Sequence, residues 1–228
     1  MAGDDAYYHL SSNYHSSSID WCEPNYEYST EIVEFWNSLS SLFICACGVI
    51  GMVKYPHVSL LYSTLIPIGI TSCYFHGTLS LLGQIMDEIS ILFAVMCGVH
   101  HVNYYIYHFC PNSVLILLNG MQFIIACTFP NYNRVVFFTY GGLCIKLMDH
   151  VSYHARVTAS VKELIHISVG LFICSVILWV IDYVCIYNLY LHSVWHVMIG
   201  ITGYYSFKII ALAAQPSPSS DRRHLELA

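Results

Sequence analysis

Windows of roughly 20 mostly apolar residues recur along nearly the whole chain, and that is the length at which an α-helix crosses a bilayer. They run over Glu34–Val53, Ser59–Phe75, Gln84–Tyr107, Val114–Phe129, Val135–His150, Leu164–Cys185 and Leu191–Ala213, the second, fourth and fifth being short. Runs this continuous exclude membrane strands, which alternate apolar and polar over about ten residues. Composition agrees: charged residues make up 10% of the 228, against about 25% in a soluble domain. The expected fold is all-α, a polytopic seven-transmembrane-helix bundle over residues 34–213. A polar arm (1–33) precedes it, and a tail (214–228) with Pro216, Pro218 and a serine cluster reads as disordered.

Charge orients the bundle. The first 34 residues hold Asp4, Asp5, Asp20, Glu23, Glu27, Glu31 and Glu34 with no Lys or Arg. No basic patch exists for nucleic acid. No basic n-region or early apolar core precedes the first span, so that span is expected to act as its own insertion signal. With seven spans, Lys54, Lys146, Arg156, Lys162, Lys208, Arg222 and Arg223 fall on one side and only Arg134 on the other. Basic residues favour the cytoplasm, which puts the N-terminus in the lumen (or outside) and the C-terminus in the cytosol. Cys22 and Cys185 then share the lumenal side, where oxidation is permitted. A bridge between them is open on that count, though sequence alone does not fix it. Cys110 maps to the cytosolic side, and the remaining cysteines fall inside spans as packing.

Ionisable groups inside apolar spans are costly and usually functional. Span two ends with Ser72-Cys-Tyr-Phe-His76, span three brings Asp87 near its start, and span seven opens with His192-Ser-Val-Trp-His196. The alternating topology carries all five to one depth, near the lumenal side. Residues four apart share a helix face, so each pair points one way. Three neutral imidazoles with one open position describe a catalytic zinc site. Such an ion polarises a carbonyl and acidifies water; Asp87 can orient that water or take its proton, and Ser72 can donate to a developing oxyanion. A lone helical histidine is more often a hydrogen-bonded core residue than a ligand. Convergence at one depth is what outweighs that reading here. Asp149, His150 and His154 repeat the one-turn spacing, but between Lys146 and Arg156 at the cytosolic boundary, and read as an interfacial turn. His100, His101 and His108 read as packing or interface residues. Glu88 points about 100° from Asp87 and is not expected to share its role. Most of the tyrosines and tryptophans read as interface belts and core filling.

The arm holds a second constellation, Asp20-Trp-Cys-Glu23-Pro-Asn25, with Glu34 at the mouth of span one. Hard oxygen donors of this kind suit calcium. Spacing alone favours a solvated acidic loop in which Asp20 or Asn25 caps a turn, and gives Glu27 and Glu31 no role.

In these residues the chain resembles the alkaline ceramidases, seven-helix intramembrane amidases. The resemblance rests on Asp20-Trp-Cys-Glu-Pro-Asn-Tyr followed by Glu34-Phe-Trp-Asn-Ser, on Ser72-x-x-x-His76 with Asp87-Glu88, and on His192-x-x-Trp-His196. It implies zinc on His76, His192 and His196, catalysis assisted by Ser72 and Asp87, and calcium on Asp20, Trp21, Glu23, Asn25 and Glu34. It also implies a Cys22–Cys185 bridge. The family usually carries a longer connection than the six residues between Cys185 and His192, which bears on whether the paired histidines keep their place.

The expected activity is zinc-dependent hydrolysis of the ceramide amide to sphingosine and fatty acid, in the endoplasmic reticulum or Golgi membrane. The lipid would be the partner, with no obligate protein partner evident. The same serine, aspartate and three-histidine core occurs in adiponectin-receptor-like proteins and lipid-remodelling hydrolases of GPI anchors; the Asp20-Trp-Cys-Glu arm favours the ceramidase branch. A non-enzymatic seven-helix receptor would leave the histidines unexplained. A retinal protein would need a mid-membrane lysine, and Lys208 lies about 18 Å beyond His196.

Overall fold

The computed structural model describes residues 14–104, 111–129, 132–153, 157–185 and 190–213. Among these the chain forms α1 (Phe35–Lys54), a 3-10 turn (Pro56–Val58), α2 (Ser59–Ser63), α3 (Leu65–Thr78), α4 (Leu81–Val102), α5 (Asn112–Thr128), α6 (Asn133–Ser152), α7 (Ala159–Tyr183) and α8 (Leu191–Ala213). The described residues contain no strand beyond an isolated bridge between Ser16 and Ser80.

Five segments are long and apolar enough to cross a membrane: α1, the run Pro56–Thr78, α4, α7 and α8. α5 is apolar but shorter, and α6, of 20 residues, carries Arg134, Lys146 and Asp149. The seven rods fit a seven-helix bundle and mark a multi-pass membrane protein. Leu60, Leu82, Ile116, Leu117, Ile124 and Val135 leave more than 60% of their surface exposed, an outward apolar coat suited to lipid.

Boundaries depart from the hydropathy windows for local reasons. The second rod is not one helix. Pro67 has no N–H to return to the Ser63 carbonyl, and Thr64 bonds back to Leu61 through both its N–H (3.2 Å) and its hydroxyl (2.7 Å). α4 starts three residues early because Ser80 caps it, accepting from Gly83 N–H at 3.1 Å. α7 starts five residues early behind Thr158, which accepts from Val161 N–H; Lys162 and Glu163 near its N-terminal end hide that start from hydropathy. The expected end of span three near Tyr107, Cys110, and the expected tail lie outside the described residues.

α1 packs mainly on α3 and α8, α3 on α4, and α7 on α8, with α5 and α6 at the margin. Gly69 of α3 allows a close approach of α3 to the α1 backbone. A Cβ there would lie 2.5 Å from Cys45 Sγ and 2.7 Å from the Ser41 carbonyl oxygen. Away from the arm the core is apolar, built on Ile44, Leu61, Tyr62, Leu65, Phe207 and Ile209.

The arm folds across the other end. Ser17 N–H donates to Leu79 O (2.8 Å), Leu81 N–H to His15 O (2.7 Å), Val33 N–H to Gly77 O (3.1 Å) and Glu34 N–H to His76 O (3.0 Å). Ile19, Trp21 and Val33 pack on Phe75 and Leu79 as a second apolar cluster. Cys22 is disulfide-bonded to Cys185, which ties the arm to the end of α7.

Candidate metal centre

The end of α3 contributes Ser72 and His76, the second turn of α4 Asp87, and the first two turns of α8 His192 and His196. All five are buried. The three imidazole centroids form a near-equilateral triangle with sides of 4.9, 4.9 and 4.6 Å. One nitrogen from each ring lies within 4.8 Å of the other two, and this is the group of ligand-type side chains able to hold an ion among the described residues. The short connection after Cys185 therefore leaves α8 starting at Leu191 with its pair in place.

The outer hydrogen bonds decide which nitrogens face inward. His76 Nδ1 lies 2.5 Å from Glu34 Oε2, so this nitrogen donates and Nε2 is left bare; Nε2 is buried and has no partner. His196 Nδ1 lies 2.8 Å from Ser40 Oγ, and its Nε2 points toward Ser72 Oγ at 3.3 Å. His192 Nδ1 and Asp87 Oδ1 are likewise buried without partners. Orphaned buried polar atoms are rare and expensive. Two of them, His76 Nε2 and His192 Nδ1, belong to an all-imidazole donor set in which Glu34 and Ser40 already hold the outer nitrogens of His76 and His196, and such a set fits a divalent metal. The Ser41 hydroxyl donates to Ser72 Oγ at 3.1 Å, and the Ser72 side chain is within hydrogen-bonding reach of Asp87.

Residues 13–226 match the family model described as Ceramidase. Alkaline ceramidase 1 of Mus musculus is 32% identical over 87% of this chain and 81% of its own length. Alkaline ceramidase 1 of Homo sapiens is 31% identical over 87% and 83% respectively. The alkaline ceramidase of Drosophila melanogaster reaches 42% over a shorter stretch, 36% of this chain and 32% of its own. The chain belongs to the alkaline ceramidase family.

In this ceramidase-family chain the arm residues are placed around the metal centre without forming a second closed ligand set. Asn25 Nδ2 donates to Asp20, with its oxygens at 3.4 and 3.5 Å. Asp20 sits beside Glu34; burial and the Glu34 charge push its carboxyl up, and burial pushes that of Glu34 up to about 7. Glu34 also accepts from Trp21 N–H at 3.0 Å and from Asn37 Nδ2 at 3.1 Å. Both Glu23 oxygens accept from the first N–H groups of α1, Trp36 at 2.6 Å and Asn37 at 2.8 Å, so Glu23 caps that helix. Glu27 accepts from the Tyr190 hydroxyl at 3.0 Å, and Glu31 is exposed.

Several residues act on the site in ways that sequence reasoning did not give. Trp21 stacks on His192 at 3.7 Å and 26°, and Trp195 lies near-parallel to the same ring at 4.9 Å. These two form walls of the centre, whereas the composition assigned tryptophan to belts and core. Asn37 Oδ1 accepts from Ser193 at 2.7 Å, tying α1 to α8. Asp182, at the end of α7, accepts from Cys22 N–H at 3.5 Å and lies beside the first N–H groups of α8 at Leu191 and His192, its Oδ1 buried without a partner. It thereby stands at the start of the helix that carries two of the three imidazoles. A buried aspartate inside an apolar run was the available signal.

The decoys stay apart. Asp149 and His150 are exposed, His101 Nδ1 bonds its own helix at Cys97 O (2.9 Å), and His108 and His154 lie outside the described residues. Glu88, not expected to share the role of Asp87, lines a cavity together with Asp87 and His192.

Proposed function

We propose that this chain hydrolyses the amide bond of ceramide to sphingosine and a free fatty acid, with zinc held by His76, His192 and His196. The observation that carries the reading is three buried imidazoles, oriented by Glu34 and Ser40, meeting beside Asp87 and Ser72 where two cavities join. Relatives named as alkaline ceramidases, matched over most of this chain, support the same substrate class.

A zinc ion on these nitrogens would supply a Lewis acid for the carbonyl and acidify a water molecule. The chain does the rest. Ser72 Oγ, held between Ser41 Oγ at 3.1 Å and His196 Nε2 at 3.3 Å, can turn its proton to the carbonyl oxygen as negative charge gathers there. Asp87 Oδ1, unpaired and buried, takes a proton from the attacking water and returns it to the amine nitrogen as the C–N bond breaks. The histidines are committed as ligands, so the carboxylate is the base. An apolar cavity of about 1050 Å³, bounded by Ser72 and Asp87 and running on to Val102 and Ile210, accepts an acyl chain without exposing it to water.

The same reading assigns calcium to Asp20, Asn25 and Glu34 with the backbone around Trp21, where a cation would relieve two neighbouring carboxylates. Glu23 then joins that set while capping α1. It also orients the arm to the lumen and the C-terminus to the cytosol, in an endoplasmic reticulum or Golgi membrane. Purified protein should contain about one zinc per chain and release sphingosine from ceramide. Chelation should stop both and zinc should restore them. Turnover that persists in metal-free protein would overturn the reading.

A further inference from the structure

Two chambers meet at Asp87, Ile91, Phe137 and Trp195, and their linings differ in kind. The larger is hydrocarbon and thiol apart from a few groups, and follows α4 from Asp87 to Val102, about 22 Å of helix. The smaller encloses about 590 Å³ on the arm side, between the metal centre and Ile19, and its wall includes Glu88 and Asn133.

The hydrogen bonds of that pair leave one acceptor uncommitted. Glu88 Oε1 accepts from Gln84 Nε2 at 2.9 Å and Oε2 from Asn133 Nδ2 at 2.6 Å. Asn133 Nδ2 also donates to the Ala126 carbonyl at 3.3 Å. A carboxylate and a carbonyl can only accept, so the amide cannot be turned over, and its Oδ1 faces elsewhere. Asn133 is 2% exposed, and that Oδ1 has no partner. A buried acceptor beside a carboxylate calls for a ligand that brings O–H donors.

We propose that Asn133 and Glu88 form a hydroxyl-recognition subsite for the polar head on the amine side of the scissile amide. The inference rests on the amidase reading above and adds the substrate's orientation. The acyl chain descends the apolar chamber, the amide sits at Asp87, and the hydroxylated head turns toward the arm. A lipid amide without hydroxyls leaves Asn133 Oδ1 desolvated and unpaired, and is disfavoured for that reason.

The test compares ceramide with analogues lacking the primary or the secondary hydroxyl of the sphingoid head, in the full-length membrane protein. Wild type should lose about ten- to a hundredfold in kcat/KM on at least one analogue. Asn133→Leu should bring that ratio to within about threefold, slowing ceramide more than the deficient analogue. Glu88→Gln, which keeps an acceptor for Asn133 and so preserves the α4–α6 tie, should narrow the ratio in the same sense. Equal turnover of all three lipids by wild type would overturn the subsite and leave the amidase reading standing. So would variants that slow all three equally, the signature of a merely structural tie. Wild type that cleaves none of them removes both.

Discussion

The helices that carry the metal centre and the two at the margin are held by different means. α1, α3 and α8 are bound to one another by polar contacts, Ser41 to Ser72 at 3.1 Å, Ser40 to His196 at 2.8 Å and Ser193 to Asn37 at 2.7 Å, and Tyr62 of α2 adds a bond to the Tyr204 carbonyl at 3.0 Å. Small residues such as Gly69 bring the backbones close enough for these bonds. Among the described residues, α5 buries only Leu115, Gln122 and Ala126, and α6 only Asn133 and Val151. Yet α6 supplies Phe137, Cys144, Leu147 and Met148 to the apolar chamber. The contrast is chemical. Metal ligands and a proton-transfer group must stay fixed to within a fraction of an ångström, whereas a lipid chain needs a wall that yields. On the proposed reading the braced side holds the reacting atoms, and the looser side walls the chamber for the lipid chain.

Breaking the braced side should cost most. His196→Ala should remove bound metal, read by elemental analysis, and lower ceramide turnover by at least about a thousandfold. Activity surviving with the metal gone would end the comparison. Asp87→Asn should keep the metal and lose at least about a hundredfold in kcat; unchanged kcat would remove the proton-transfer role. Ser40→Ala frees His196 Nδ1 and should weaken metal affinity about ten- to a hundredfold, measured by competition with a chelator, with the fold retained. The yielding side should respond least. Leu147→Ala should leave metal content untouched and shift acyl-chain preference by about three- to tenfold toward bulkier chains. A larger loss there than for Ser40→Ala would mean that α6 is braced after all.

How far the sequence was readable follows the same division. The three imidazoles, Ser72 and Asp87 stood out because each is an expensive group inside an apolar run, and alternating spans set them at one depth. α8 was bounded correctly at Leu191–Ala213, and the Cys22–Cys185 bond matches the pairing that the resemblance implied. Ser40 and Asn37 were not readable. A helical serine usually bonds its own backbone, as Ser41 does to the Asn37 carbonyl, and only the neighbouring helix shows which hydroxyl reaches across. The break at Thr64 was invisible to hydropathy, because an apolar window does not register a missing donor at Pro67. The place of Glu88 in a cavity wall was not readable, because an angle measured on one helix says nothing of a chamber walled by two. Its partner Asn133 comes from α6, a pairing that only the packing reveals.

The disulfide also sets an order in time. Cys22 and Cys185 are separated by 163 positions, so at ribosomal speed the first thiol waits about 10–30 s for its mate. α8, with His192 and His196, follows only after that mate. A nascent chain stopped before the end of α7 has neither the covalent clasp nor a complete set of imidazoles. Assembly of the centre thus waits for α8, and a Cys22 oxidised before Cys185 emerges cannot close the clasp.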